Sequence, residues 1–164
     1  MSENNAIMQG GSVAESCVLQ ISDLHKSYGS HPVLEGVSFS IPRGKIVGLL
    51  GPNGCGKSTI MKMISGLLPA DNGSILIDGH LPGLVSKSIV SYLPERTYLN
   101  DWMKVSEVLQ FFSDFYADFD LERAQQMLAD LHLSPNTRLK TMSKGTKEKV
   151  QLILVMSRRA QLYL

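Results

Sequence analysis

Hydrophobic and polar residues alternate along the first third of the chain. Positions 17–24 read CVLQISDL and positions 33–41 read VLEGVSFSI, so much of each run is apolar at every second residue. This period is typical of strands with one face in a core. The turn Tyr28-Gly29-Ser30 separates the two runs. The pattern therefore predicts two strands that pair in an antiparallel layer.

A different pattern follows at Lys45–Leu50, which is almost continuously apolar. Such a run is typical of a strand that is buried on both faces, as in a parallel sheet. Further strands are predicted at Ser74–Ile77 and at Ile89–Leu93, where Pro94 ends the run. Ala160–Leu164 has the composition of the start of another buried strand.

Apolar residues take a helical spacing in three other regions. Helices are predicted at Ser58–Leu68, from an Asp120 N-cap to Leu131, and at Ser143–Arg159. A fourth helix is predicted from a stripe of apolar residues at Val105, Val108, Leu109, Phe112, Phe115 and Tyr116. We expect most of the aromatic cluster at 111–116 to pack in a core.

Composition excludes several classes of protein. The 164 residues are 43% hydrophobic with a formal net charge of +1, so no basic field favours nucleic acid as a partner. Cys17 and Cys55 are too few for a disulfide framework. Residues 1–16 are polar and are expected to form a disordered tail without a secretory signal. The apolar runs are far shorter than the roughly 18 residues of a membrane-spanning helix.

The loop at positions 51–59 reads GPNGCGKST and fits the phosphate-binding pattern G-x-x-x-x-G-K-[ST]. Glycines let successive N–H groups point into one concavity, and the following helix adds its positive end. Lys57 is expected to reach the β- and γ-phosphates, Ser58 to bind Mg²⁺, and Thr59 to contact the α-phosphate side. The remaining candidate contacts are Gly51, Asn53, Gly54, Cys55 and Gly56. The motif predicts that the chain binds ATP with Mg²⁺.

Around this loop, from about Cys17 to Leu164, the chain resembles the ATP-binding subunits of ABC transporters. The stretch LHKSYG at 24–29 is similar to the family's adenine-binding turn, which implies that Tyr28 stacks on adenine; the alternative is an ordinary turn tyrosine. The resemblance implies an α/β P-loop NTPase fold, with an antiparallel β layer, a partial RecA-like core and an α-helical subdomain at about 98–140. Residues 17–164 would form this one partial domain, incomplete at its C-terminus.

Downstream, the segment SYLPE at 91–95 stands where the family has its Q-loop. Glutamine is usual at the last position, and here it is Glu95. The resemblance implies that Glu95 is a Mg²⁺ ligand, and the alternative is a plain surface glutamate. Trp102, beside this segment, is a candidate for contact with a partner.

The segment MSKGT at 142–146 resembles the family's signature, normally written LSGGQ. Ser143 and Gly145 match, whereas Lys144 and Thr146 depart from it. In the family, this helix N-terminus binds the γ-phosphate held by a second ATP-binding subunit, so that two chains pair head to tail. The alternative is a simple N-capped helix start.

The family's hydrolytic residues are an Asp, a following Glu and a switch His, and by the family's spacing they fall beyond Leu164. His25, His31, His80 and His132 do not stand where the switch His would. No catalytic residue is therefore assigned, and turnover is expected to be near zero. We interpret the sequence as an incomplete chain, which is expected to leave apolar sheet surface exposed and to aggregate.

The resemblance implies a subunit that couples ATP binding and hydrolysis to transport through transmembrane subunits. Such a protein would be cytoplasmic and peripheral on the inner face of the membrane, and the transported substrate would be chosen by its partners. The alternatives are a soluble ABC-type ATPase of DNA repair or translation, a small P-loop kinase or GTPase, and a fragment without function.

Overall fold

The computed structural model describes residues 17–94 and 99–164. An antiparallel layer is formed by β1 (Cys17–Tyr28), β2 (His31–Pro42) and β3 (Asn72–Ile77), in the order β2-β1-β3. Ile21 of β1 lies opposite Phe39 on one side and Ile75 on the other. This register confirms the antiparallel pairing predicted from the alternating runs. One face of these strands packs on a core, which accounts for the alternation.

A second sheet contains two short parallel strands. These are β4 (Val90–Ser91) and β5 (Leu162–Tyr163), which pair Val90 with Leu162. Both are shorter than the strands predicted at 89–93 and 160–164. The helix α2 (Leu84–Ile89) leads directly into β4, and its six residues are too few to give a helical signal in the sequence.

The longer helices follow the apolar periodicity of the sequence. They are α1 (Lys57–Ile64), α3 (Val105–Phe115), α4 (Leu121–Asp130) and α5 (Lys144–Met156), with a short 3₁₀ turn at Leu139–Thr141. Asp120 caps α4 as predicted, because its Oδ1 accepts a hydrogen bond of 3.0 Å from the Arg123 N–H. None of the helices in the described part of the chain combines the length and apolar character needed to cross a membrane.

Buried side chains form two separate clusters. The first, here called the strand unit, joins β1, β2, β3 and α1 with Val90 and Leu162. The second, here called the helical unit, joins α3, α4 and α5 with Leu139. The core of the helical unit includes Val150, Ile153 and Leu154 of α5, and the helical subdomain at about 98–140 stays a prediction.

The buried strand predicted at Lys45–Leu50 is wrong for this structure. The segment has no regular secondary structure, and Ile46 and Leu50 are almost fully exposed. A strand is stable when neighbouring strands bind its N–H and C=O groups and other layers cover its faces. Within the described residues no segment pairs with 45–50, so its apolar character alone cannot make a strand.

The aromatic cluster of α3 is divided between core and surface. Phe112 is buried, and Tyr116 packs against the same cluster. Phe111 and Phe115 are exposed and stack on each other with ring centroids 6.1 Å apart. The expectation that most of this cluster packs in the core is therefore correct for only part of it.

Candidate nucleotide-binding site

The glycine loop leads into α1 through backbone conformations that favour glycine. Gly54 and Gly56 have φ angles of 84° and 91°, in the left-handed region. Gly56 also lies against β2, since a Cβ at this position would be 2.6 Å from Cδ2 of Leu34 and 3.2 Å from the carbonyl oxygen of Val33. Glycine at position 56 is thus required both by the turn and by close packing on the strand.

The side chain of Lys57 folds back onto its own loop. Its Nζ donates hydrogen bonds of 2.8 Å and 2.7 Å to the carbonyl oxygens of Gly51 and Pro52, and it lies 3.7 Å from Sγ of Cys55. An ammonium group has three donors and a mobile stem. Phosphate oxygens would therefore compete with two loop carbonyls for the same donors. Cys55 is exposed beside them.

One cavity of about 380 Å³ brings together the end of β1, the start of β2 and the glycine loop. Tyr28 at the end of β1 lines this space and is 51% exposed. A volume of this size is typical of small-molecule sites. The residues that line the cavity are Tyr28, Val33, Asn53, Gly54, Gly56, Lys57, Ser58 and Thr59.

Sequence reasoning did not identify Val33 as part of this cavity. The alternating pattern marks it only as the start of the second predicted strand. Its position five residues after Tyr28, across the tight turn at Gly29, was the available signal. Because β1 and β2 pair with Tyr28 opposite His31, the strand returns Val33 to the loop.

A smaller cavity of about 230 Å³ is also lined by Lys57 and Ser58. Leu93, just after β4, and Leu164, just after β5, line it together with these two residues. The carboxyl ends of parallel strands are where α/β folds bind their ligands. Glu95, the predicted Mg²⁺ ligand, lies outside the described residues, and its role stays a prediction.

The donor set near the loop fits a cation that is delivered with a nucleotide. Across residues 17–94 and 99–164, no group of three or more His, Cys, Asp or Glu side chains is arranged to hold a metal. Mg²⁺ usually keeps several waters and binds substrate phosphates, so it does not need such a cage. Ser58 lines both cavities, and a serine hydroxyl is a suitable single protein ligand for such a cation.

Ser143 and Gly145 lie at the exposed start of α5 and line neither cavity. Ser143 is the N-cap, since its Oγ accepts a hydrogen bond of 3.2 Å from the Thr146 N–H and lies 2.8 Å from the Thr146 hydroxyl. A Cβ on Gly145 would meet open space. Within the same chain, these two residues are therefore part of neither cavity at the phosphate loop.

Comparison with known proteins identifies the family. The family model described as ABC transporter matches residues 34–164, which include the glycine loop and the start of α5. The chain belongs to this family. Its relatives are ABC transporter ATP-binding proteins, and the α/β fold class expected from the resemblance is that of the solved members.

Two curated relatives come from Bacillus subtilis strain 168. The SkfA peptide export ATP-binding protein SkfE is 36% identical over 153 residues, which are 90% of this chain and 64% of that protein. The linearmycin resistance ATP-binding protein LnrL is 34% identical over 143 residues, 82% of this chain and 46% of the relative. This ABC chain thus spans about half to two-thirds of the length of these relatives.

The structural similarity agrees with the sequence similarity. A solved ATP-binding subunit of an ABC transporter superposes with a TM-score of 0.81 at 31% identity. The superposition covers 89% of this chain and 64% of the solved one. The strands, helices and glycine loop described above are therefore those of an ABC ATP-binding domain.

Proposed function

We propose that this chain binds Mg-ATP and is the ATP-binding part of an ABC transporter. The observation that supports the proposal most directly is the 380 Å³ cavity that Tyr28 shares with the glycine loop. An aromatic ring and a phosphate-binding loop on one cavity match the two ends of a nucleoside triphosphate.

Each part of the cavity has a specific chemical role in this proposal. Tyr28 stacks on the adenine, and Val33 supplies apolar contact beside it. The N–H groups of the glycine loop and the start of α1 bind the phosphates. Lys57 exchanges its bonds to the Gly51 and Pro52 carbonyls for phosphate oxygens. Bound Mg²⁺ would neutralise phosphate charge, and Ser58 would hold it.

The exposed start of α5 has the properties of an anion-binding helix end that faces outward. We propose that Ser143 and Gly145 contact the nucleotide of a second ATP-binding subunit in a head-to-tail pair. The pair would act on transmembrane subunits at the cytoplasmic face of the membrane and couple ATP hydrolysis to transport. Since SkfE is by its name an export protein, we propose that the transport is export.

A titration with a fluorescent ATP analogue tests the binding proposal. We expect saturable, Mg²⁺-dependent binding that Lys57→Ala weakens by about 10- to 150-fold, because hydrogen bonds to a charged group contribute about 1.5–3 kcal/mol. Lys62→Ala is the matched control, since Lys62 is exposed in the last turn of the same helix. Equal affinity of the Lys57→Ala variant and the unaltered chain would refute the proposal. Preference for GTP would favour another class of P-loop protein.

A further inference from the structure

Arg158 is only 4% exposed although its side chain carries a permanent charge. Its Nε lies 3.1 Å and 3.2 Å from the two carboxylate oxygens of Asp118, and its Nη2 lies 3.0 Å from Oδ1. The guanidinium carbon is 4.0 Å from the centre of the Tyr116 ring. Asp118 and Tyr116 both lie in the connection between α3 and α4, so one side of the guanidinium is bound to the helical unit.

The other side of the same group binds the strand unit. Nη1 donates to the Val90 carbonyl at 2.8 Å, and Nη2 donates to the Ser88 and Lys87 carbonyls at 2.9 Å and 3.3 Å. Two of these carbonyls belong to the last turn of α2, where helix carbonyls have no partner within the helix. Arg158 thus caps α2 and contacts β4 with the same planar group.

The backbone around Arg158 belongs to the helical unit. The Asp120 N–H donates to the Ser157 carbonyl at 2.7 Å, and the Arg159 N–H donates to the Asp118 carbonyl at 3.0 Å. Val155, in the last turn of α5, accepts a bond of 3.0 Å from the Ser91 hydroxyl. The Tyr163 hydroxyl of β5 also donates to the Arg158 carbonyl at 2.6 Å. The end of α5 is therefore bonded to the short parallel sheet, and the Arg158 side chain adds the bonds to Val90 and to the end of α2.

A buried ion pair is a poor source of stability, because apolar residues of similar volume often serve as well. The specific effect of this ion pair is on orientation. The five N–H donors of Arg158 lie in one rigid plane, so they fit only one arrangement of Asp118 and the three carbonyls. α5 has 13 residues and is about 20 Å long at 1.5 Å per residue. A rotation of about 10° at Arg158 would displace Ser143 by about 3.5 Å, well beyond the roughly 0.5 Å that a binding constellation tolerates.

We propose that Arg158 is a positioning residue that sets the direction of α5, and hence the place of Ser143 and Gly145 relative to the phosphate loop. The importance of this direction for pairing around ATP rests on the proposed function. The geometry itself can be measured without nucleotide.

The chain contains a suitable pair of probes. Trp102 is its only tryptophan, and the neighbouring Asp101 is bound to the helical unit through the Lys147 ammonium at 2.6 Å and the Lys140 N–H at 2.7 Å. Cys55 is an exposed thiol in the phosphate loop. An energy acceptor attached to Cys55, in a Cys17→Ala background, makes energy transfer from Trp102 a measure of the separation between the two units.

We expect Arg158→Met to shift the transfer efficiency and broaden the Trp102 lifetime distribution, and Asp118→Asn to act in the same direction. Hydrogen exchange at the Val90 and Ser91 amides should rise about tenfold or more in Arg158→Met. Arg159→Met is the matched control, because that neighbouring side chain is 75% exposed and its ion pair is with Asp120, at the start of α4 within the helical unit. The control should leave transfer and exchange unchanged.

Transfer and lifetimes in Arg158→Met that equal those of the Arg159→Met control would overturn the proposal. Full recovery by Arg158→Lys would overturn it too, since charge without the planar fork would then suffice. If Arg158→Met does not fold, Asp118→Asn is compared with the control by energy transfer and Trp102 lifetimes, because asparagine keeps the shape of the aspartate side chain. Binding of a fluorescent ATP analogue is measured in parallel on the same variants without the label on Cys55, and it should stay within about twofold in every variant. Absence of binding in the unaltered chain would refute the proposed function and leave the transfer result valid.

Discussion

Gly56→Ala separates the two reasons for glycine in the phosphate loop. The φ angle of 91° alone costs an L-residue about 1–2 kcal/mol. The new Cβ would also lie 2.6 Å from the Leu34 side chain, and relieving such an overlap costs about 1–3 kcal/mol. We therefore expect a loss of about 2–5 kcal/mol in the free energy of unfolding.

Gly54→Ala is the matched control within the same loop. Its φ of 84° is nearly the same, but a Cβ there meets nothing within 4 Å. It should lose only the conformational part, about 1–2 kcal/mol. The difference of about 1–3 kcal/mol between the two variants measures the close approach of the loop to β2.

Equilibrium urea unfolding of the two alanine variants and of Leu34→Ala provides the assay. Leu34 is buried, so its truncation alone should cost about 2–5 kcal/mol. Because truncation removes the atom that the new Cβ would meet, the double variant should be less destabilised than the sum of the single ones by about 1–3 kcal/mol. Equal losses for Gly54→Ala and Gly56→Ala, or strict additivity with Leu34→Ala, would refute this reasoning.

Three further predictions concern other parts of the chain. Tyr28→Ala should weaken binding of a fluorescent ATP analogue by about 5- to 150-fold while Tyr28→Phe keeps it, since stacking contributes about 1–3 kcal/mol per base; equal loss in both variants would argue against stacking. Hydrogen bonds from Lys26 and from the Ser27 N–H hold the pKa of Asp71 below its usual value of 3.8. The contribution of Asp71 to stability is then present above pH 3.8 and is lost as the pH falls through the lower folded-state pKa. The difference in melting temperature between the unaltered chain and Asp71→Asn should therefore be largest near neutral pH and disappear in acid. A difference that stays constant with pH would contradict this prediction. Ile46→Lys should reduce light scattering by the chain and change its stability by less than about 0.5 kcal/mol, because the side chain is fully exposed; a larger drop in stability would show that Ile46 is packed in solution.

Local sequence signals identified most of the secondary structure of this protein. The alternating runs predicted β1 and β2, and the spacing of apolar residues predicted α3, α4 and α5, because these periods match the two faces of each element. The Asp120 cap could also be predicted, because a side-chain oxygen at this position needs only the N–H groups of the next turn. The helix α2 gave no such signal, because it has only six residues and is held by contacts at its end.

The sequence by itself determined the glycine loop and its chemistry, since the backbone conformations at Gly54 and Gly56 and the reach of Lys57 depend on residues that are adjacent in the chain. Only the tertiary structure decided that Val33 joins Tyr28 on the same cavity, that 45–50 is exposed, and that Arg158 is bound between the two units. Each of these features depends on residues that are distant in sequence, and the local spacing of apolar residues does not indicate whether such a partner is present.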